Sequence, residues 1–267
     1  MPDPYSSIAD ADAALQARLA SVLELRAAEP QQRAMLDSYL AEISLPETAR
    51  ALDVGCGTGA VTRVLAQMPS VREAIGIDPS PVFIERARGF AKGISGISFA
   101  TGDARDLQFD EDSFDLVVFH TVLCHVSDPE QALHEARRVL RPRGWLAIFD
   151  GDYPTASVAT DPFDPLQSAV AAMMASYVRN PWLTRRLAKV VATVGFKITS
   201  LRSHGYVQTE TPAYMLTLVD RGADILLAGG TIGVDQAEAL KAEARRRVEA
   251  GEFFGHISFL SVIARAA

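Results

Sequence analysis

The sequence predicts an α/β protein built on an open, doubly wound sheet, mostly parallel, with helices on both faces. Three observations predict it. From residue 49 onward, short apolar runs alternate with stretches of helical periodicity. The first run, Ala51-Leu52-Asp53-Val54, ends beside a carboxylate and enters Gly55-Cys56-Gly57-Thr58-Gly59, a turn that lets bare backbone approach a ligand. Ala60-Val61-Thr62-Arg63-Val64-Leu65 then opens a helix whose first N–H groups face the same place.

Before the sheet, residues 8 to 43 read as two helices. Leu15, Leu19, Val22 and Leu23 run along the first, and Pro30 restarts a second with Met35, Leu36, Tyr39, Leu40 and Ile43 on its face. After the glycine turn, Glu73 to Asp78 is a short apolar strand ending in an acid, Ile97 to Ala104 is a third strand and turn, and Phe114 to His120 is a buried fourth. Asp128-Pro129-Glu130-Gln131 starts a helix as N-cap, first helical residue and capping box, and Leu133, Ala136 and Leu140 give it an apolar face. Trp145 to Asp150 is the fifth strand, Phe196 to Leu201 the sixth and His256 to Ala264 the seventh. Residues 207 to 256 form an insertion too long for a structureless loop. Its Tyr214 to Leu227 stretch is an apolar helix stopped by Gly229-Gly230, and residues 235 to 250 are a charged helix ended by Gly251.

The 267 residues, 48% of them hydrophobic, suit one domain with one large core. Its expected parts are N-terminal helices (1–48), a ligand-binding core (49–152), a helical lid (153–194) and the last two strands carrying a helical cap (195–267). No run approaches the roughly 20 apolar residues of a membrane span. Met1-Pro2-Asp3-Pro4-Tyr5 lacks the basic-then-apolar form of a signal peptide, so the cytoplasm is the expected location. Cys56 and Cys124 belong to no CxxC pair, and neither a disulfide framework nor a metal site is expected. A net charge of −7 argues against nucleic acid as a partner. Lys241 to Arg247, interleaved with Glu238, Glu243 and Glu249, reads as a solvated helix face laced with ion pairs. A small-molecule partner and a monomer or homodimer are expected.

The glycines alone fit two ligands, because Gly55 to Ala60 also satisfies the dinucleotide fingerprint G-x-G-x-x-G/A, with Asp78 about 20 residues further on. Asp53 distinguishes them. A carboxylate beside the ligand's centre repels a pyrophosphate and pairs with a cationic α-amino group. S-adenosylmethionine has that amine and no phosphate. On Asp53-Val54-Gly55-Cys56-Gly57-Thr58-Gly59 and the strands that follow, the chain resembles the class I S-adenosylmethionine-dependent methyltransferases, specifically the ubiquinone/menaquinone-biosynthesis-like group of small-molecule enzymes.

That resemblance implies a Rossmann-like, seven-stranded sheet with an antiparallel last strand, and S-adenosyl-L-methionine as cofactor. It implies cofactor contacts from Asp53, Gly55, Cys56, Gly57, Thr58, Gly59, Asp78, Pro79, Asp103, Ala104 and His120. Asp78 suits both ribose hydroxyls, Pro79 lies against the adenine, Asp103 takes its amino group and the Ala104 backbone reads the ring edge. Arg26 or Arg33, on the N-terminal helices, meets the methionine carboxylate. Arg143 departs from the Pro-Gly-Gly that many relatives carry before the fifth strand.

The expected reaction is methyl transfer to a small, largely apolar molecule. Only an acceptor that must lose a proton needs a base. Ligands lie beyond the carboxyl ends of parallel strands, which selects His125, Asp152 and His204 as candidate bases, with no metal. A protein of the same fold that binds the cofactor but performs a rearrangement or cyclisation is the alternative, and a nicotinamide-dependent oxidoreductase a weaker one.

Overall fold

In a computed structural model that describes residues 3–266, seven strands form one sheet. They are β1 (Ala49–Val54), β2 (Val71–Asp78), β3 (Ile97–Thr101), β4 (Phe114–His120), β5 (Leu140–Ser157), β6 (Phe196–Gln208) and β7 (Gly255–Ala266), in the spatial order β3-β2-β1-β4-β5-β7-β6. β1 lies parallel to both β2 and β4, and β7 runs antiparallel between β5 and β6. The order reverses between β1 and β4, which opens a ligand crevice at their carboxyl ends.

Alternate side chains feed two cores. Leu116 and Val118 of β4 point to the core that also holds Leu19, Tyr39 and Phe149, while Val117 and Phe119 point to the one holding Leu133, Leu187 and Val191. Helices α1 (Ala13–Ala27) and α2 (Pro30–Leu40) precede the sheet, as their periodicity predicts. α3 (Ala60–Ala66) follows the glycine turn, α4 (Pro81–Phe90) follows β2 and α5 (Pro129–Val139) follows β4. Asp128 caps α5 by accepting the Gln131 N–H at 3.0 Å, but the Gln131 side chain donates to the Arg105 carbonyl instead of closing a capping box. Arg143 has φ 64°, the left-handed conformation that explains why glycine suits this turn.

Two strands are longer than their sequence patterns suggest. β5 continues past Asp150 to Ser157, and β6 continues past Leu201 to Gln208, because both arms find partners along the twelve residues of β7. The insertion is correspondingly shorter, spanning 209–254. α6 (Leu166–Tyr177) and α7 (Thr184–Thr193) follow β5, and the insertion supplies α8 (Ala213–Ala228) and α9 (Val234–Glu249). α8 packs on α6 so closely that a Cβ at Gly222 would stand 1.8 Å from the Ala169 carbonyl oxygen. α9 is tied to the β5–α6 connection by Arg247, whose Nη2 lies 3.1 Å from Asp164 Oδ1, and to α8 by Lys241–Asp224 at 2.7 Å and Arg245–Asp220 at 2.9 Å. The basic cluster is thus spent on ion pairs. Among the described residues no helix is long and apolar enough to cross a membrane.

Candidate active site

β1 delivers Asp53 to the crevice, 1% exposed, with Oδ2 accepting the Thr62 hydroxyl at 2.6 Å. The turn beyond it has φ 71° at Gly55 and 53° at Gly57. A Cβ would meet Val122 at 2.5 Å at Gly55, and Leu23 of α1 at 2.8 Å at Gly57. Only glycine passes between those walls. Gly59 acts differently: it does not line the cavity, and its added Cβ would strike Phe99 at 2.6 Å, so it serves close packing of α3 instead of ligand contact.

Asp78, at the end of β2, accepts the Gly57 N–H and the Ser80 N–H, each at 2.9 Å on a different oxygen. Each oxygen keeps acceptor capacity for a ligand hydroxyl. Burial pushes Asp53 up to about 7 against the Thr62 hydrogen bonds, and Asp78 up to about 6 against those two backbone donors. Two buried acids held this way favour a cationic or hydrogen-bond-donating ligand.

A cavity of about 500 Å³ opens beside them. Gly55, Cys56, Gly57, Thr58, Pro79 and Ala104 line it with the two acids. Asp103 lines it too, but it is already paired with Arg105 at 2.6 Å, which holds its carboxyl below the usual range. His120 lines it from the end of β4, with Nδ1 2.9 Å from the Tyr39 hydroxyl and its ring stacked on Phe149 at 4.6 Å. Burial keeps this imidazole well below its ordinary value, hence neutral. Thr121, next in the chain, has φ 58° and its Oγ1 accepts from Arg26 Nη2 at 2.6 Å. Arg26 lines the cavity; Arg33 also borders it but is paired with Asp37 at 2.8 Å.

The three candidate bases separate. His125 lines the cavity, and Asp3 Oδ2 accepts from its Nδ1 at 2.7 Å, which leaves Nε2 as the acceptor nitrogen. Asp152 does not line it. Because β5 continues through this position, Asp152 is paired in register with Ser258 and its carboxylate meets Arg185 at 2.9 Å. His204 is likewise inside β6, opposite Phe259, with Nε2 2.8 Å from Ser261 Oγ, and it too is outside the cavity lining. The apolar patterns of β5 and β6 stop short of these residues, whereas the strands run on to Ser157 and Gln208.

Other residues at the site belong to no motif, among them Asp3, which stands outside the cavity lining. Asp3, its side chain 3% exposed, reaches His125 from 122 positions away and also accepts the Arg179 N–H at 2.9 Å. Tyr5 lies against the His125 ring at 4.8 Å. Tyr214, Leu218 and Arg221 present one face of α8 to the cavity, and Tyr153, Met173 and Tyr177 come from β5 and α6. The spacing of 214, 218 and 221 shows that they share a helix face, but nothing local shows what that face covers. Among the described residues, no cluster of His, Cys, Asp and Glu has the makings of a metal site.

A sheet of this order, with a glycine turn after β1 and an acid ending β2, defines the class I methyltransferase architecture. Residues 52–148 match the family described as a methyltransferase domain. An uncharacterized 37.1 kDa protein in transposon TN4556 of Streptomyces fradiae is 32% identical over 224 residues, 81% of this chain and 62% of that protein. The demethylmenaquinone methyltransferase of Clavibacter sepedonicus is 33% identical over 129 residues, 48% of this chain and 52% of that enzyme. Among solved structures, the YcgJ protein from Bacillus subtilis superposes with a TM-score of 0.61 at 23% identity, covering 88% of this chain and 99% of that one. The chain spans only 62% and 52% of the lengths of the two sequence relatives. Residues 52–148 are a methyltransferase domain, similar in sequence to the demethylmenaquinone methyltransferases.

Proposed function

We propose that the chain transfers a methyl group from S-adenosylmethionine to a small, largely apolar acceptor. One observation supports this above all: a single cavity is bordered both by the glycine turn with Asp53 and Asp78 and by Tyr153, Met173, Tyr177 and Leu218. The residues present fit the cofactor, since the backbone at Gly55 and Gly57 is bare and two buried acids stand where an ammonium and a ribose diol need acceptors. Bound S-adenosylmethionine supplies an electrophilic methyl group. In this reading Asp53 holds the cofactor's ammonium, Asp78 its ribose hydroxyls, and Arg26, within one turn of the α1 residues Leu23 and Glu24 that lie against the glycine turn, its carboxylate. Pro79, Ala104 and Asp103 border the adenine. His120, neutral and stacked, fills the wall beside the reacting centre.

The chain's own chemical task is then to align the acceptor and exclude water, with the cap formed by α6 and α8 closing the acceptor side. Where the acceptor must lose a proton, His125 Nε2 receives it, with Asp3 orienting the ring and stabilising the resulting imidazolium. The test is incubation with methyl-labelled S-adenosylmethionine and fractionated small-molecule extract. Label should enter an organic-soluble product while S-adenosylhomocysteine accumulates in equal amount. Product formation without S-adenosylhomocysteine, or tight binding of a nicotinamide dinucleotide in place of S-adenosylmethionine, would overturn the reading.

A further inference from the structure

The acceptor side of the cavity holds polar groups that no protein atom satisfies. Arg221, on the cavity face of α8, lies over the Tyr177 ring at 5.5 Å and shares a side-chain hydrogen bond with Tyr5, while its Nη2 is buried without a hydrogen-bond partner. Gln32 of α2 lines the same cavity, is 4% exposed, and leaves both its amide oxygen and its amide nitrogen unpaired. A buried polar group without a partner carries a desolvation penalty, and a buried cation a larger one, unless something supplied from outside completes it.

The protein's own anions are committed elsewhere. Four carboxylates border the cavity: Glu24 pairs with Arg63 at 2.9 Å, Asp103 with Arg105 at 2.6 Å, Asp53 accepts from Thr62 at 2.6 Å and Asp78 from Gly57 and Ser80 at 2.9 Å. On α8 itself, Asp220 and Asp224 turn to Arg245 and Lys241 of α9. Arg26, which also lines the cavity, already donates to Thr121 at the end of β4 and shares a side-chain hydrogen bond with Tyr214. It stands in the same helix as Leu23 and Glu24, which touch the glycine turn, so the cofactor's carboxylate is its partner under the proposal above. Arg221 is then left for the other ligand.

We propose that Arg221 binds a carboxylate on the methyl acceptor, so that the cavity takes small organic acids with an apolar body. The inference rests on the methyl-transfer reading for which ligand is the acceptor. A cationic acceptor would sit beside both Arg221 and the cofactor's sulfonium, and like charges in a buried site repel strongly. A phosphate dianion calls for more than one guanidinium, whereas a carboxylate matches one planar fork. The surroundings suit the remainder of such an acid. Tyr5, Tyr177 and Tyr214 offer ring faces and hydroxyls, and Met173, Val178 and Leu218 offer apolar surface. Gln32 provides one further donor and acceptor for a polar substituent.

The test is calorimetric titration of the intact protein, with and without S-adenosylhomocysteine, using matched pairs of aromatic and aliphatic carboxylic acids of six to twelve carbons and their methyl esters. At least one acid should bind ten or more times tighter than its ester. In Arg221→Met that preference should vanish, and in Arg221→Lys it should persist in part, because charge remains while the fork is lost. S-adenosylhomocysteine affinity serves as the control for folding: it should stay near wild type in both variants and fall in Arg26→Met. The inference is overturned if no acid in the series binds, if esters bind as well as acids, if the matching alkyl phosphates outcompete the acids, or if Arg221→Met keeps the preference. A wild-type protein that fails to bind S-adenosylhomocysteine strikes the methyl-transfer reading instead. In that case the acid-over-ester preference, read without cofactor, still decides the role of Arg221.

Discussion

Around the glycine turn, the carboxylates have partners within the protein: Asp78 holds two backbone N–H groups, Asp53 a threonine hydroxyl and Glu24 an arginine. Across the same cavity, α2 and α8 leave Gln32 and Arg221 Nη2 with none. The first region is preorganised for one invariant ligand, since its geometry is complete before anything binds. The second leaves part of its hydrogen bonding to the ligand, which is where a family with a constant methyl donor and varied acceptors should carry its differences. The two regions also differ in origin along the chain. The first is built mainly from β1, its turn and β2, with Leu23 and Glu24 of α1 against the turn, and the second from side chains of α2, α6 and α8.

The largest expected effect separates chemistry from cofactor binding. His125→Ala should lower single-turnover methylation of a proton-losing acceptor about 10²-fold or more, near 2.7 kcal/mol of barrier, with cofactor affinity close to wild type. Asp152→Ala and His204→Ala should leave the rate near wild type, because their partners Arg185 and Ser261 hold them outside the cavity. Equal losses in all three variants would contradict the geometry.

Next, Gly222→Ala places a methyl group against the Ala169 backbone, so α8 must move off α6. Overpacking of this kind costs about 1–3 kcal/mol, which is a fall of several degrees in thermal midpoint for a chain of this size. If the regions are separable, S-adenosylmethionine affinity survives. A matching loss of affinity would show that cap and glycine turn respond as one unit.

Asp78→Ala should weaken S-adenosylmethionine binding at least tenfold, about 1.4 kcal/mol, by removing charge-assisted acceptors for the ribose and leaving the Gly57 and Ser80 N–H groups unpaired. Unchanged affinity by calorimetry would remove Asp78 from the site.

The smallest effect is in pH. Asp53 at about 7 and Asp78 at about 6 are raised by burial, so their neutral forms are favoured in the ligand-free fold. The stability they contribute is therefore fully present below the ordinary carboxylate range and is lost as pH rises through 6 to 7. Cofactor binding has the opposite sign. An α-amino group stays protonated up to roughly 7.7–8.0 and pairs with ionised Asp53, so affinity should rise between about pH 5 and 7. A flat affinity profile across that window would place the ammonium elsewhere.

The sequence by itself determined the succession of strands and helices, the glycine turn and the acids of β1 and β2. The reason is that each is a local pattern: an apolar run of strand length, a turn at which glycine alone fits, an N-cap followed by proline. It also located α8 and α9, whose stop signals are Gly229 and Gly251. Only the tertiary structure decided how far β5 and β6 extend, since their outer halves are strands through pairing with β7 and not through any pattern of their own. That pairing moved Asp152 and His204 from loops into strands and out of the site. The same holds for Asp3 beside His125 and for the unpaired Nη2 of Arg221. Contacts between residues more than a hundred positions apart leave no periodicity to read, and an unmet hydrogen bond exists only once every neighbour that might have met it is in place.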